Sequence, residues 1–348
     1  PRDKLCGGLL TLRSAKIYDQ IFPQSWDRII QHRSKGLRIY HKNTLLNHID
    51  NYKTFAFTNR SEYDAFLLEQ AITAGAKPYL GNSVNDIDLE NNAVTLSDGV
   101  TLKANCIIGA DGVNSKLAHT LFGSAFTRDR TAFGLEIEVP RSETTKVFNK
   151  PEISFGHINW GYAWIFPKKE SYTVGIGGLY GKNTDYKKLL IDYSQQRFSH
   201  ALNYKIKGHF IPFGEYKKIP GKKSVLLCGD AAGLVEPITG EGIAFAMQSG
   251  HYAALACALA LKEKHPDRAY QHYLPHFKEV SRDIQNANRL KHFIFHKNLN
   301  RLFLSLLPRH QGAMKLHVDL MSSDITYAKY AFQLIKKTSM ALISRPFH

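Results

Sequence analysis

Several things are scarce in this chain, and each scarcity excludes something. No apolar run reaches the roughly 20 residues of a membrane span; the longest, near residues 253–261, reads AALACALAL. The chain is therefore expected to be soluble or to lie on a membrane surface, and a cytoplasmic setting is expected. Cys6, Cys106, Cys228 and Cys257 are far apart and lack CxxC spacing, so neither a disulfide framework nor a zinc site is indicated. His292 and His296 stand four apart without an HExxH glutamate, and no metal is expected. There is no repeat of solenoid period and no low-complexity tract. Acidic residues are few: 30 Asp and Glu against 46 Lys and Arg give a formal net charge of +16 over 348 residues.

That charge suits nucleic acid, anionic lipid or acidic substrates. From Ala287 onward ten Lys or Arg face only Asp319 and Asp324, interleaved with apolar residues in NRLKHFIFHKNLNRLFLSLLPRH. The pattern has two readings. One is basic amphipathic helices on an anionic membrane surface; the other is an ordinary helical cap with solvated lysines. No nucleic-acid partner is expected.

What is present reads as an α/β protein. TNRSEYDAFLLEQAITAGA (58–76) has helical spacing, with Ser61 as N-cap, Asp64 at the third helical position and Gly75 as the stop. Short strands follow, with an Asp98-Gly99 hairpin turn, ending in CIIGADG. Residues 131–214 turn β-rich and aromatic, which predicts a second, mostly antiparallel sheet. SVLLCGDAAG restores the parallel-strand pattern before a helix over about 241–262, and the remainder reads as helical.

GDAAGLVEPITGEGIAFA (229–246) sets Asp230 just past a strand end, where open parallel sheets bind ligands. Its carboxylate there can accept hydrogen bonds from sugar or ribityl hydroxyls. Gly240 and Gly242 let the backbone approach a flat ring, and the helix start presents N–H groups to it. IIGADGVNS (107–115) is a second strand-end loop: Asp111 can reach pyrophosphate or ribose through water, and Gly112 allows close approach. Taken alone, GADG reads equally well as a simple turn. Trp160, Tyr162, Trp164 and Phe166 alternate, so they share one strand face, which either packs in a core or lines an apolar tunnel. GIGGLYG (175–181) imitates a dinucleotide fingerprint in letters only, because no helix follows it.

Four stretches in order carry a resemblance. GADGVNS resembles the DG motif, and GDAAGLVEPITGEGI the GD motif, of the flavoprotein monooxygenase and reductase superfamily. PRDKLCGGLL resembles the cysteine segment of the geranylgeranyl reductase family, and GYAWIFPKKESYTVGIGG its YxWxFP signature. The resemblance covers most of residues 1–262. It implies a p-hydroxybenzoate-hydroxylase-like fold: a discontinuous Rossmann-like FAD-binding domain (1–30, 56–125, 215–265), an inserted antiparallel substrate domain (31–55, 126–214) and a helical C-terminal region (266–348). It also implies bound FAD, NADPH or reduced ferredoxin as electron donor, and reduction of C=C bonds in a prenyl chain.

Residue by residue, the resemblance sets Cys6 and Gly7 beside the flavin ring, with Cys6 as a proton donor or a shaper of the pocket. Arg60, of an R-x-x-[FY]-D-x-x-L helix, would meet the pyrophosphate or ribose; read without the family it is a surface arginine at a helix start. Val84 would offer backbone contacts to adenine, Asp111 and Gly112 would approach the pyrophosphate, and Asp230, Gly240, Gly242 and Ile243 would hold the ribityl chain and ring. Tyr162, Trp164 and Phe166 would line the site for an isoprenoid or other apolar substrate. The family opens with a strand, GxGxxG and a helix; PRDKLCGG corresponds to the region directly after that unit, which is expected to be missing from this chain. Two other functions remain: an aromatic monooxygenase of the same fold, and a non-catalytic lipid-binding relative.

Overall fold

A computed structural model describes residues 3–199, 204–296, 300, 304 and 311–333. Along the chain, β1 (Leu9–Leu10), α1 (Leu12–Ile21) and the long pair β2 (Ile30–His41) and β3 (Thr44–Thr58) lead into α2 (Arg60–Thr73). Then come β4 (Val84–Asp88), β5 (Ala93–Leu96), β6 (Thr101–Lys103), β7 (Ile107–Gly109) and α3 (Lys116–Phe122). β8 (Ala132–Pro140), β9 (Glu152–Phe155), β10 (Gly161–Pro167) and β11 (Ser171–Leu179) precede α4 (Tyr186–Phe198) and β12 (Lys207–Ile211). β13 (Gly221–Lys222), β14 (Val225–Leu227), α5 (Ile243–Lys262), α6 (Ala269–Phe295) and a helix at Gln311–Met321 follow.

The described residues fall into two compact units, one drawn from 1–66, 132–210 and 286–348, the other from 67–131 and 211–285. These cuts differ from the expected domain limits. Residues 1–30 join the unit of the large sheet because β1 pairs with the end of β3, Leu9 opposite Phe57. The C-terminal helical stretch is divided near residue 285.

The first unit is built on an eight-stranded sheet in the order β1-β3-β2-β9-β10-β11-β8-β12. β1–β3, β2–β3, β9–β10, β10–β11 and β11–β8 pair antiparallel and β2–β9 parallel, so the aromatic, turn-rich segment forms the sheet its composition predicts. Side chains alternate across it. Leu135, Ile137, Val139, Ala163, Ile165, Val174 and Ile176 form one buried face together with Tyr186, Leu190 and Tyr193 of α4. The opposite face carries Gly134, Gly175 and Gly177, the aromatic Tyr162, Trp164 and Phe166, and Glu136 and Glu138.

Asp319 and Asp324, the two acids of the otherwise basic C-terminal stretch, tie it to the sheet. Lys53 of β3 bridges both carboxylates, Tyr52 donates to Asp319 at 2.7 Å, and Lys16 pairs with Asp324 at 2.5 Å. Burial opposes the Lys53 charge, yet the two carboxylates raise its pKa overall, and Lys16 and Lys53 lower that of Asp324. This supports the helical-cap reading for residues 311–324. Residues 297–299, 301–303, 305–310 and 334–348 of the basic stretch lie outside the described residues.

In the second unit β14 runs parallel to β7, with Leu227 opposite Gly109, and β13 completes a three-stranded sheet; β4, β5 and β6 form another. The Asp98-Gly99 turn forms as expected: Gly99 N–H donates to the Leu96 carbonyl, and Asp98 accepts from Val100 N–H. α5 is long and apolar enough to cross a membrane by length and composition. Its Phe245, Ala253, Ala256 and Ala260 are nevertheless buried with Leu226, Leu227 and Phe277 in the core of this unit.

Local details correct two expectations. α2 starts at Arg60, not after a Ser61 cap; Asn59 engages Glu62 through its side-chain amide and accepts from Tyr63 N–H through its carbonyl. Asp64 is thereby freed from capping. Gly75 ends the helix with φ +100°, as read. Trp160 precedes β10 with φ +53°, so it leaves the alternating series; its ring meets His292 and Phe295 instead.

Gly8 fixes the path from the chain start into β1. It has φ +75°, and a Cβ there would sit 2.0 Å from the Thr58 carbonyl oxygen. Gly8→Ala should therefore cost about 2 kcal/mol or more, measured as a lower denaturation midpoint, while Gly99→Ala, whose Cβ meets nothing within 4 Å, should cost less.

Candidate active site

Within the first unit the candidate face runs across three strands in three rows. Trp164 of β10 lies opposite Gly175 of β11, which lies opposite Glu136 of β8. Paired residues point to the same side of a sheet, so the three share a face. Phe166, Thr173 and Glu138 form the next row, and Tyr162, Gly177 and Gly134 the one before. The glycines explain the geometry. A Cβ on Gly175 would stand 2.2 Å from the Trp164 ring, and one on Gly177 at 3.3 Å, so the indole lies flat across bare backbone. The letters that imitate a dinucleotide fingerprint are thus a floor for an aromatic ring.

Tyr162, Trp164 and Phe166 follow one another at ring separations of 6.1 and 6.3 Å, and Phe57 closes on Phe166 at 5.7 Å. They stand on the face opposite the α4 core. The segment Cys6-Gly7-Gly8 covers them: a Cβ on Gly7 would be 2.6 Å from the Phe166 ring and 3.2 Å from Trp164 Nε1. Only glycine permits that approach.

Cys6 is half-buried. Its N–H donates to Glu136 Oε1 at 3.0 Å, and its sulfur accepts from Gly8 N–H at 3.4 Å. Arg60 reaches the same sulfur. It also holds Asp64 with Nε and Nη2, each at 3.0 Å. Burial disfavours the guanidinium charge, but Cys6 and Asp64 raise its pKa above the ordinary value. Arg60 is thus a part-buried residue engaged with the cysteine turn, with further N–H groups to offer, and not a surface arginine.

Glu136 was missed in sequence reasoning. It is 2% exposed, and burial raises its carboxyl pKa to about 7, against the lowering effects of the Cys6 N–H, Lys168 and Lys207. Its Oε2 and Trp164 Nε1 are buried polar atoms without a hydrogen-bond partner among the described residues. The signal was in AFGLEIEV, where period two places both glutamates on the face away from the aliphatic core.

In the second unit Asp111 and Asp230 follow the ends of two adjacent parallel strands. Both lie near Cys228, whose thiol pKa is pushed up to about 12 by burial first and then by these two carboxylates. Asp111 accepts from Ser115 Oγ at 2.6 Å and Leu117 N–H at 3.2 Å, which anchors the start of α3; it is itself exposed. Gly112 follows with φ +82° and open space where a Cβ would stand. Asp230 lies in a short turn whose carbonyl accepts from Gly233 N–H. A Cβ on Gly242 would meet Val235 at 3.1 Å and Asp230 Oδ1 at 3.5 Å.

Gly240, with φ +73°, ends a loop closed by Glu236, which accepts from Ile238 N–H, Thr239 N–H and the Thr239 hydroxyl. α5 then starts at Ile243, two residues later than the sequence suggests, and its N-cap Gly242 places no side chain on the first-turn N–H groups. Two strand-end carboxylates, an open glycine turn and the start of a 20-residue helix fit the sugar, pyrophosphate and ring of a flavin. Val84 opens β4, and its carbonyl accepts from Lys116 Nζ at 2.6 Å. Among the described residues no His, Cys, Asp and Glu group could hold a metal ion.

No family model matches the chain. It is 33% identical over 318 residues to an uncharacterised protein of Methanosarcina barkeri, covering 88% of this chain and 79% of that one. It is 26% identical over 303 residues to a digeranylgeranylglycerophospholipid reductase of Methanococcus vannielii, covering 81% and 73%. The fold matches a crystal structure of a geranylgeranyl bacteriochlorophyll reductase-like protein of Thermoplasma acidophilum, with a TM-score of 0.76 and 21% identity over 96% of this chain and 89% of that one. With the motifs in their expected order and sequence similarity along most of its length, this chain belongs to the geranylgeranyl reductase family of FAD-dependent oxidoreductases.

Proposed function

We propose that this chain reduces C=C bonds in a prenyl chain carried by a lipid or quinone-like molecule. The observation that carries the reading is the aromatic face itself. Tyr162, Trp164 and Phe166 line the side of the sheet away from its core, the Trp164 ring lies over the backbone of Gly175 and Gly177, and Gly7 packs onto Trp164 and Phe166. An isoprenoid has no polar handle along its length. Flat rings supply contact area to it and stabilise positive charge that develops on a carbon of an isolated alkene.

Bound and reduced, FAD supplies a hydride equivalent to the alkene. Asp230 would accept from ribityl hydroxyls, Asp111 and Gly112 would approach the pyrophosphate, and Gly240, Gly242 and Ile243 would admit the ring. Val84 would contact adenine through its backbone. Arg60 would direct remaining N–H groups at phosphate or ribose while holding Cys6. NADPH or reduced ferredoxin would restore the reduced flavin. The charge of +16 suits an anionic membrane surface, where prenyl lipids reside.

The test uses protein loaded with FAD, reduced without oxygen and mixed with a geranylgeranyl lipid. Flavin reoxidation with a product heavier by two hydrogens per bond is the expected result. No reoxidation by prenyl lipids, with oxygen uptake driven by phenols instead, would identify a hydroxylase. Asp230→Ala should weaken FAD binding about 10- to 100-fold, read by flavin fluorescence titration; unchanged affinity would remove Asp230 from the cofactor site. Cys6→Ala should leave single-turnover reoxidation within about tenfold of the parent if the thiol only shapes the pocket, whereas a loss of about a hundredfold or more would make it the proton donor.

A further inference from the structure

Two glutamates are buried in the large sheet, and their surroundings differ. Glu152 of β9 is met by Arg197, by the Tyr40 hydroxyl at 3.2 Å and by Arg38 at 3.7 Å. Glu136 of β8 is equally buried but, among the described residues, has no such cation in contact. Among the described residues one backbone N–H, from Cys6, holds Oε1 at 3.0 Å, and Oε2 has no partner. An ionised carboxylate is costly in such a place, whereas a neutral one has an O–H to give. The row Glu136, Gly175, Trp164 sets this carboxyl on the aromatic face, beside the cysteine turn.

We propose that Glu136 is the acid that protonates the substrate alkene on this face. The proposal rests on the prenyl-reducing reading above and adds the residue that completes its chemistry. Saturating one C=C bond needs a hydride and a proton. With a bound reduced flavin as the hydride source, Glu136 would release the proton to the other carbon and be left as carboxylate, to be reloaded from solvent. The Cys6 N–H fixes Oε1, which leaves Oε2 to carry the transferred proton. Cys6 then acts as a positioning residue through its backbone, and a thiol is not required.

The groups that act on Glu136 set the pH behaviour. Burial holds its proton up to about pH 7, Glu138 on the same strand adds to this, and Lys168, Lys207 and the Cys6 N–H work against it. The folded chain thus keeps this proton in a window where the unfolded chain, near its ordinary value of 4.5, has lost it. Stability due to this group is therefore present below about pH 4.5 and lost as pH rises to about 7.

Glu136→Gln keeps the shape and an oxygen for the Cys6 N–H but cannot titrate. Two measurements test it. Without cofactor, the stability of the parent relative to Glu136→Gln should decline between about pH 4.5 and 7; a difference flat across that window would overturn the proposal. With reduced FAD and a geranylgeranyl lipid, single-turnover reoxidation should fall about a hundredfold or more in Glu136→Gln, and the parent rate should decline as pH rises through about 7. A variant as fast as the parent overturns the acid role while leaving prenyl reduction intact. A parent that reduces no prenyl lipid overturns the functional reading, and the acid role with it. Should Glu136→Gln not fold, the parent pH profile decides: a rate that holds steady to pH 9 overturns the proposal.

Discussion

The contact between the Cys6-Gly7-Gly8 turn and the aromatic face governs the rest of the first unit's chemistry. It exists because Gly7 brings no atom where Phe166 and Trp164 stand, and because Gly8 turns with positive φ beneath the Thr58 carbonyl. From that single approach follow the Cys6 N–H on Glu136, the Arg60 guanidinium at the sulfur and the shielding of the Glu136 carboxyl from water. Burial of that carboxyl with no cation in contact among the described residues is the electrostatic result.

The second unit solves a different problem with familiar means. Two short parallel strands, β7 and β14, end side by side, so loops far apart in sequence present Asp111 and Asp230 at one sheet edge. Each aspartate also shapes its own loop, through Ser115 and Leu117 N–H in one case and the turn to Gly233 in the other. Asp111 does this with its carboxylate and Asp230 with its backbone carbonyl, and since a carboxylate has about four lone-pair directions, the proposed ligand-binding duty would be compatible with both.

Much of this was legible in the residues. The alternation of Tyr162, Trp164 and Phe166, the Asp98-Gly99 turn and the apolar SVLLC strand translate directly into local backbone preference, and the structure carries them as read. Trp160 was misplaced because alternation continues in letters past the point where the backbone turns left-handed. The start of α2 was misplaced by two because serine at 61 looks like a better cap than asparagine at 59, and only the Asn59–Glu62 pairing decides. Glu136 was overlooked for a deeper reason. A strand glutamate is ordinarily solvated, and nothing local reveals that a turn 130 residues earlier in the chain will cover it.

The bare backbone at Gly175 and Gly177 has a consequence for the width of the aromatic face. With no side chain beneath the indole, the thickness of that layer is set by Trp164 alone. Trimming Trp164 to a small residue would expose a trench two residues long, floored by peptide planes and walled by Tyr162 and Phe166. On the proposed function, the range of chain shapes this face takes would be controlled at one position, and broadening it would require no change to the surrounding scaffold.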